Sequence, residues 1–225
     1  MPATDAFRHC SWTPSTQISY FGATAGKELR MLSNFLPGVN VVVDGITYRT
    51  TEAAYQSRLW PQEYRWWFGV DGPLDSFDAA VKVGFNFGVK TKEAVDKKIK
   101  FWDTRCGGAV GIIPKLLSNR KNRTYLTIVF QGQALPPPGD HHDFGSMSEQ
   151  EFWLFILSQK FAHGAAKRLL LSTGKATLVE FDKGATRHGS FWGGVYSKVT
   201  GRVHGYNYMG RMLMMVRGKL QEELM

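Results

Sequence analysis

Hydrophobic positions recur with two different periods along the chain, and the two periods separate predicted strands from predicted helices. Short runs of β-branched and aromatic residues indicate strands, at residues 18–22, 39–50, 124–131 and 176–181. Apolar residues three and four positions apart indicate helices, at residues 51–60, 63–68, 76–83, 91–104, 149–163, 165–174 and 206–224. This order predicts an α+β fold that is helix-rich and compact, with a small and mostly antiparallel sheet.

Turn and capping residues set two of these boundaries. Asp44 and Gly45 form the favoured two-residue turn between β-branched runs, so residues 39–50 are predicted to form a hairpin. Ser148 and Glu151 match the S-x-x-E capping box, in which each end satisfies a free backbone N–H of the other. A long helix is therefore predicted to begin directly after Ser148.

A length of 225 residues suits one well-buried domain. The candidate linker is a stiff polar loop at residues 134–145, but neither half of the chain looks complete without the other. We therefore expect a single domain over residues 1–225. Met209 and the apolar residues that follow it at helical spacing are predicted to face its core.

The sequence also indicates a compartment. No apolar run reaches the roughly 18 residues that a membrane span needs, so no membrane partner is expected. The first residues lack the basic-then-apolar pattern of a secretory signal. Cys10 and Cys106 are the only cysteines, which argues against a disulfide framework and favours the reducing cytoplasm.

The net charge of +9 and the isoelectric point near 9.6 favour an anionic partner such as nucleic acid, a nucleotide or an acidic surface. Residues 90–105 and 118–123 carry much of the excess, with Phe101, Trp102 and Tyr125 close by in sequence. Basic groups beside aromatic rings suit single-stranded or flipped-out bases. The alternative is a solvated helix face followed by a basic turn.

Three stretches carry side chains suited to chemistry. Residues 31–35 form a turn of polar and aromatic groups. Glu52, Tyr55 and Gln56 have the spacing that places them on one helix face. Residues 190–208 combine glycines, aromatic rings and basic residues, which could line a pocket for a flat anionic ligand or pin the loop to the core.

Each stretch also has a purely structural interpretation. Asn34 could cap a turn, and Trp192 could be an ordinary core aromatic. Glu52 could lie in the first turn only because the helix dipole favours a negative charge there. The adjacent His-His-Asp at residues 141–143 cannot easily face one ion together, so no metal is expected. The sequence contains no catalytic-triad order, P-loop, dinucleotide-binding fingerprint or zinc-ligand spacing.

Taken in order, these stretches resemble the NADAR family, the YbiA-like N-glycosidases, over residues 18–224. The family pattern has an aromatic strand, an S-N-F turn, a T-x-E helix start with Gln four residues later, an A-x-L-V-E strand, a W-G loop and a G-x-N-x-x-G entry into the last helix. In this chain these motifs are residues 18–22, Ser33-Asn34-Phe35, Thr50-Thr51-Glu52, Gln56, residues 176–180, Trp192-Gly193 and residues 205–210.

The resemblance implies an enzyme that hydrolyses N-glycosidic bonds, without a cofactor, on a compact and mostly helical α+β fold. Members of the family act on riboflavin-pathway ribosylamine phosphates or remove ADP-ribose from guanine bases in DNA. The expected location is then the cytoplasm of a bacterium or of a phage-infected host cell. A role in counter-defence, erasing the ADP-ribose mark of a toxin, would suit the second substrate.

The chain departs from the family pattern at several positions. The family commonly has a lysine seven residues after the motif Glu, expected to act through a Schiff base, and this chain has Leu59 there, beside Arg58. A family arginine corresponds to Phe85 and a family aspartate to Gly189. Residues 106–147 look like an insertion. These changes indicate a divergent member or a relative that binds without catalysis.

The resemblance and the chemistry of glycosidic cleavage together assign roles. Glu52 is the predicted catalytic carboxylate, because cleavage builds positive charge on the anomeric carbon. Trp192 is expected in the catalytic centre, stacked on adenine or on the leaving base. The glycines and the start of the last helix are expected to present backbone N–H groups to a pyrophosphate. The expected ligand-binding residues are Ser33, Asn34, Phe35, Tyr55, Gln56, Arg58, Gly193, Gly194, Tyr206, Asn207 and Gly210.

Three functions remain open on the sequence alone. The first is release of ADP-ribose from modified nucleic acid, DNA above all, which the basic charge favours. The second is cleavage of ribosylamine metabolites, which needs no basic surplus. The third is binding of ADP-ribose or an NAD-like small molecule without turnover, which Leu59 favours.

Overall fold

The computed structural model describes residues 17–20, 28–37, 39–85, 87, 89, 91–106, 111–119 and 128–225, with the side chains of residues 102–106 excepted. Three predicted features lie partly outside these residues: the end of the strand at 18–22, residues 124–127 of the strand at 124–131, and residues 120–123 of the basic run. Cys10, Tyr125 and the side chains of Trp102 and Cys106 lie outside them as well.

Helices account for most of the regular structure in the described residues. The α-helices are α1 (Thr51–Ser57), α2 (Phe77–Lys82), α3 (Lys92–Cys106), α4 (Ile112–Ser118), α5 (Glu149–Lys160), α6 (Gly164–Ser172), α7 (Ala185–His188) and α8 (Tyr208–Glu222). Two 3-10 helices cover Glu28–Leu32 and Gln62–Phe68. Within the described part of the chain, no helix combines the length and the apolar character that a membrane crossing requires.

The strands are short and pair two by two. They are β1 (Gln17–Ser19), β2 (Val41–Val43), β3 (Ile46–Tyr48), β4 (Val129–Phe130), β5 (Gln133–Ala134), β6 (Thr177–Val179), β7 (Val195–Ser197) and β8 (Arg202–His204). The pairs β2–β3, β4–β5 and β7–β8 are antiparallel, whereas β1 lies parallel to β6 with Ile18 opposite Leu178. The prediction of a helix-rich α+β fold with mostly antiparallel strands is confirmed, although the described strands form separate pairs and not one sheet.

Local sequence explains the two predicted boundaries. Asp44 and Gly45 have φ angles of 52° and 77°, the left-handed conformation that a tight turn between β2 and β3 requires. At the start of α5, the Ser148 hydroxyl accepts from the backbone N–H of Glu151, and the Glu151 carboxylate accepts from the backbone N–H of Ser148. Both predictions are confirmed.

One hydrophobic cluster runs through the described fold, from Tyr20 to Leu220, with Trp60, Trp67 and Trp153 fully buried in it. Helix α1 packs against α4 and α5, and α8 packs against α5 and β6. This packing brings the first turn of α1, the end of β6 and the first turn of α8 around one pocket, with α4 at its side.

Some elements were not predicted from the sequence. Helix α4 and strand β5 lie in the apparent insertion at residues 106–147, and α7 and the β7–β8 hairpin lie in stretches predicted as loop. Strand β4 falls within the strand predicted at residues 124–131. Helix α5 ends at Lys160 and not at residue 163, and α6 begins at Gly164 with a φ of 67°. These short segments lack a clear hydrophobic period, so their tertiary partners decide their structure.

Candidate active site

A pocket of about 160 Å³ lies between α1, α4, β6 and the loop before α8. Polar and charged side chains line one part of it, and aromatic and sulfur-containing side chains line the rest. The lining residues are Asn34, Phe35, Glu52, Tyr55, Gln56, Lys115, Trp153, Glu180, Trp192 and Met209.

Glu52 occupies the first turn of α1, which Thr50 caps by accepting from the backbone N–H of Ala53. The backbone N–H of Glu52 donates to the carbonyl of Asn34 over 3.1 Å, so the S-N-F turn and the helix start are tied together. The side chain is 5% exposed. Its Oε1 accepts from Gln56 Nε2 at 3.0 Å and lies 3.8 Å from Lys115 Nζ.

Glu180 directly follows β6 and enters the pocket from another side. Its backbone N–H donates to Asn207 Oδ1 at 3.0 Å, and its Oε2 accepts from the Tyr20 hydroxyl at 3.2 Å. Burial raises the pKa of Glu180 to about 7, and the negative charge of Glu52 adds to the rise. The pocket therefore holds two carboxyl groups in different electrostatic surroundings.

Tyr55 is the centre of an aromatic wall. Its ring stacks on Trp153 with centroids 4.5 Å apart, and Trp192 meets it edge-on at 5.6 Å. The ring of His142 lies 4.2 Å away on the other side. The Tyr55 hydroxyl donates to Glu149, and burial together with this carboxylate raises the pKa of Tyr55, so the phenol stays protonated. The wall is held by packing from α1, α5 and two loops.

A second, larger pocket of about 310 Å³ adjoins the first. The two pockets share Tyr55, Gln56 and Trp192, so these three side chains form the wall between them. Burial lowers the pKa of His142 in the second pocket to about 4, and nearby His141 adds to the fall, so that its imidazole is neutral near pH 7. Its remaining lining residues are Leu59, Ser118, Gly139 and Asp140.

Two lysines flank the carboxyl groups. The Lys115 side chain is half exposed, reaches Glu52 at 3.8 Å and lies 4.8 Å from the centre of the Phe35 ring. Lys160 is buried beneath the S-N-F turn, where its Nζ donates to the carbonyl of Ser33. Burial lowers the pKa of Lys160 to about 7, and the charge of Glu180 opposes this fall.

The structure brings six of the predicted site residues together around the first pocket. These are Asn34, Phe35, Glu52, Tyr55, Gln56 and Trp192. Ser33 is next to them in the chain and acts through its backbone carbonyl on Lys160. The other predicted ligand-binding residues lie outside the lining of both pockets: Arg58, Gly193, Gly194, Tyr206, Asn207 and Gly210.

Most backbone donors of the predicted pyrophosphate cradle already have partners within the protein. The N–H groups of Gly193 and Gly194 donate to Ser190 Oγ and to the carbonyl of Glu180. The N–H groups of residues 206–209 donate to carbonyls of residues 190–193. These bonds use the N–H groups at the start of α8 that a phosphate would need. A Cβ on Gly193 would lie 2.6 Å from the carbonyl oxygen of Glu180. These glycines therefore serve close backbone packing.

Three other side chains have structural partners in place of the expected ligand. Arg58 is buried, pairs with Asp44 at 2.6 Å and lies over Phe152, away from the pocket. Asn207 Nδ2 donates to the carbonyl of Leu178, while its Oδ1 accepts from Glu180. Tyr206 stacks on Phe191 with a 5.1 Å centroid separation. Gly210 lies against the Leu178 carbonyl.

Four lining residues were missed as site residues from the sequence. Glu180 was recognised only as part of a family motif, and Met209 only as a core position. Trp153 was one of several aromatics in a predicted helix, and Lys115 lies in the apparent insertion. Glu180, at the end of an apolar strand, was the one local signal available in the sequence. Burying a carboxylate costs free energy unless it has a partner or a function.

Comparisons with known proteins give a likeness among solved structures. No protein-family model matches the chain, and no curated protein matches it. Among solved structures, the chain is similar to the NMR structure of the E. coli protein YbiA, with 21% identity and a TM-score of 0.49. The match covers 97% of this chain and 93% of that one.

Proposed function

We propose that the protein is an N-glycosidase, a hydrolase that cleaves the bond between ADP-ribose and a nucleobase. The observation that carries this proposal is the pocket where Glu52 faces Glu180 beside an aromatic wall. Most enzymes that break glycosidic bonds use two carboxyl groups, whose different environments let one act as an acid and the other as a base or nucleophile.

Cleavage of a ribose–base bond builds positive charge on the anomeric carbon. Glu52 is buried and charge-paired, so it is placed to stabilise that charge or to take a proton from the attacking water. Gln56 holds one oxygen of Glu52 and lies on the wall between the two pockets. It is suited to orient the water or a ribose hydroxyl.

The two adjoining pockets suit the two parts of such a substrate. The smaller, charged pocket would take the ribose, and the larger pocket, bordered by Tyr55, His142 and Trp192, would take a flat base. Trp192 is 37% exposed and therefore accessible for stacking. Lys115 lies 3.8 Å from Glu52 and would meet an anionic substrate group.

The whole-chain charge of +9 supports a nucleic-acid substrate. Lysines 92, 97, 98 and 100 of α3 are exposed and add to this charge, although Glu93 and Asp96 lie among them. The proposed reaction is reversal of guanine ADP-ribosylation in DNA, a counter-defence against an ADP-ribosylating toxin. The proposed site of action is the cytoplasm of a bacterium or an infected host cell.

A release assay tests this proposal. The parent protein and Glu52→Gln would be mixed with a guanine-ADP-ribosylated oligonucleotide, and free ADP-ribose would be followed by mass spectrometry. We expect release by the parent and a loss of roughly 10²- to 10⁴-fold in Glu52→Gln. Glu223→Gln removes an exposed carboxylate at the end of α8 and should match the parent.

The other outcomes separate the remaining functions. Tight binding of the oligonucleotide by the parent without release would contradict catalysis and support a binding protein. If the parent neither binds the oligonucleotide nor releases ADP-ribose, the nucleic-acid substrate is contradicted. Ribosylamine phosphates would then be assayed in the same way.

A further inference from the structure

The geometry points to Glu180 as the proton donor to the leaving base, an inference that rests on the proposed N-glycosidase function. Glu180 lines the same pocket as Glu52 but comes from the end of β6, so the two carboxyl groups approach from different elements. A substrate lying between them would have one carboxyl group near its anomeric carbon and the other near its leaving group.

The position of Glu180 is fixed on both the backbone and the side chain. Asn207, a left-handed residue at the start of α8 with a φ of 53°, clamps the strand by accepting from the N–H of Glu180 and donating to the carbonyl of Leu178. The Tyr20 hydroxyl, from β1's end, holds one carboxyl oxygen. A group held this way is pre-organised for transfer of a proton to one point.

The surroundings of the two carboxyl groups separate their roles. Glu52 accepts from an amide and lies 3.8 Å from the ammonium of Lys115, which suits a carboxylate that stabilises the charge on the anomeric carbon. Burial raises the pKa of Glu180 to about 7, and the negative charge of Glu52 adds to this rise, which suits a group that donates a proton. The titratable and charged groups that act on Glu180 are Tyr20 of the β1 end, Glu52 of α1, Lys115 of α4 and Lys160 of α5.

The proposed step balances without any further reagent. The carboxyl proton of Glu180 passes to the base nitrogen as the bond from that nitrogen to the anomeric carbon breaks, and the bonding pair stays with the base. Water adds to the anomeric carbon, and its extra proton passes to Glu52. Solvent then takes this proton and returns one to Glu180, so the net reaction consumes one water.

A leaving-group comparison tests this role. One substrate is the guanine-ADP-ribosylated oligonucleotide, and the other is ADP-ribose carrying 4-nitrophenoxide at the anomeric carbon, which leaves without a proton. We expect Glu180→Gln to lose roughly 10²- to 10⁴-fold in rate on the first substrate and less than about tenfold on the second. Glu223→Gln serves as the matched control on an exposed carboxylate.

The outcomes separate this inference from the proposed function. Equal losses on both substrates, with an active parent, would overturn Glu180 as proton donor and leave the glycosidase intact. A parent inactive on both substrates would overturn the glycosidase and this role together.

The pH profile of the rate is a second test, because a purely structural role of Glu180 would not change it. Since Glu180 donates a proton, kcat/KM of the parent on the oligonucleotide should fall above pH 7. Tyr20→Phe removes a hydrogen bond that lowers the pKa of Glu180, so the fall should move to higher pH. The same fall at the same pH in Tyr20→Phe and in Glu180→Gln would overturn the assignment.

Discussion

At the scale of the residue, side chains that hold backbone decide the shape of the site. Asn207 has no cap hydrogen bond to its own helix and instead joins α8 to the end of β6 through both of its amide atoms. Lys160 likewise holds the carbonyl of Ser33, one residue before Asn34. These two contacts hold the backbone around the pocket without touching a ligand.

Lys160 makes the stability of the fold depend on pH. Its folded pKa is about 7, well below the usual 10.5, so between these values the unfolded chain binds more protons than the folded one. The free energy of unfolding therefore gains a rising contribution from pH 7 to about pH 10. In Lys160→Met this rise should be absent.

Urea unfolding at a series of pH values measures the effect, with Lys219→Met as the exposed-lysine control. Glu180 acts in the opposite sense between pH 4.5 and 7, because its raised pKa lets the folded state bind the extra proton. The buried tyrosines, whose pKa values are raised, lower the free energy of unfolding only as the pH approaches 10. The window from pH 7 to about pH 9 therefore isolates Lys160. A slope above pH 7 that survives in Lys160→Met would contradict the lowered pKa.

At the scale of the element, α8 contains two glycines with opposite roles. A Cβ on Gly210 would overlap the Leu178 carbonyl and the Asn207 side chain, whereas a Cβ on Gly218 would meet nothing within 4 Å. Gly210→Ala should destabilise the protein by about 1–3 kcal/mol because α8 must move off β6. Gly218→Ala should stabilise it by about 0.5–1 kcal/mol, since alanine favours the helix.

Equilibrium urea unfolding of both variants measures this difference. The two variants carry the same substitution in the same helix, so each is the control of the other. Unfolding free energies that change equally in both variants would show that α8 does not rest on the Leu178 carbonyl.

Elements also show what the sequence could predict. The Asp44–Gly45 turn and the Ser148 capping box are local, because their hydrogen bonds join residues at most three apart, and both were predicted correctly. The pocket depends on contacts across the chain, such as Lys115 against Glu52 and Tyr20 against Glu180. No period or turn signal carries such contacts, so four of the ten residues that line the pocket were not predicted as site residues.

At the scale of the whole molecule, the charge of +9 makes the salt dependence of binding a test between a nucleic-acid substrate and a small one. A single strand contributes a slope of roughly −0.7 in log K against log salt for each phosphate contacted. Glu52→Gln is the variant to use, because its expected slow turnover leaves the ligand intact during the measurement. We expect it to show a slope near or below about −3 on an ADP-ribosylated oligonucleotide, corresponding to four or more contacts.

Two comparisons test the origin of that slope. Free ADP-ribose has only two phosphates, so its slope should be shallower than about −2. Adding Lys97→Gln and Lys98→Gln removes two exposed positive charges of α3 and should flatten the oligonucleotide slope while leaving the ADP-ribose affinity unchanged. Fluorescence anisotropy between 50 and 200 mM salt resolves these differences. Equal slopes for both ligands would mean that the exposed lysines of α3 do not contact the strand. The substrate would then be a small molecule held by the pocket alone.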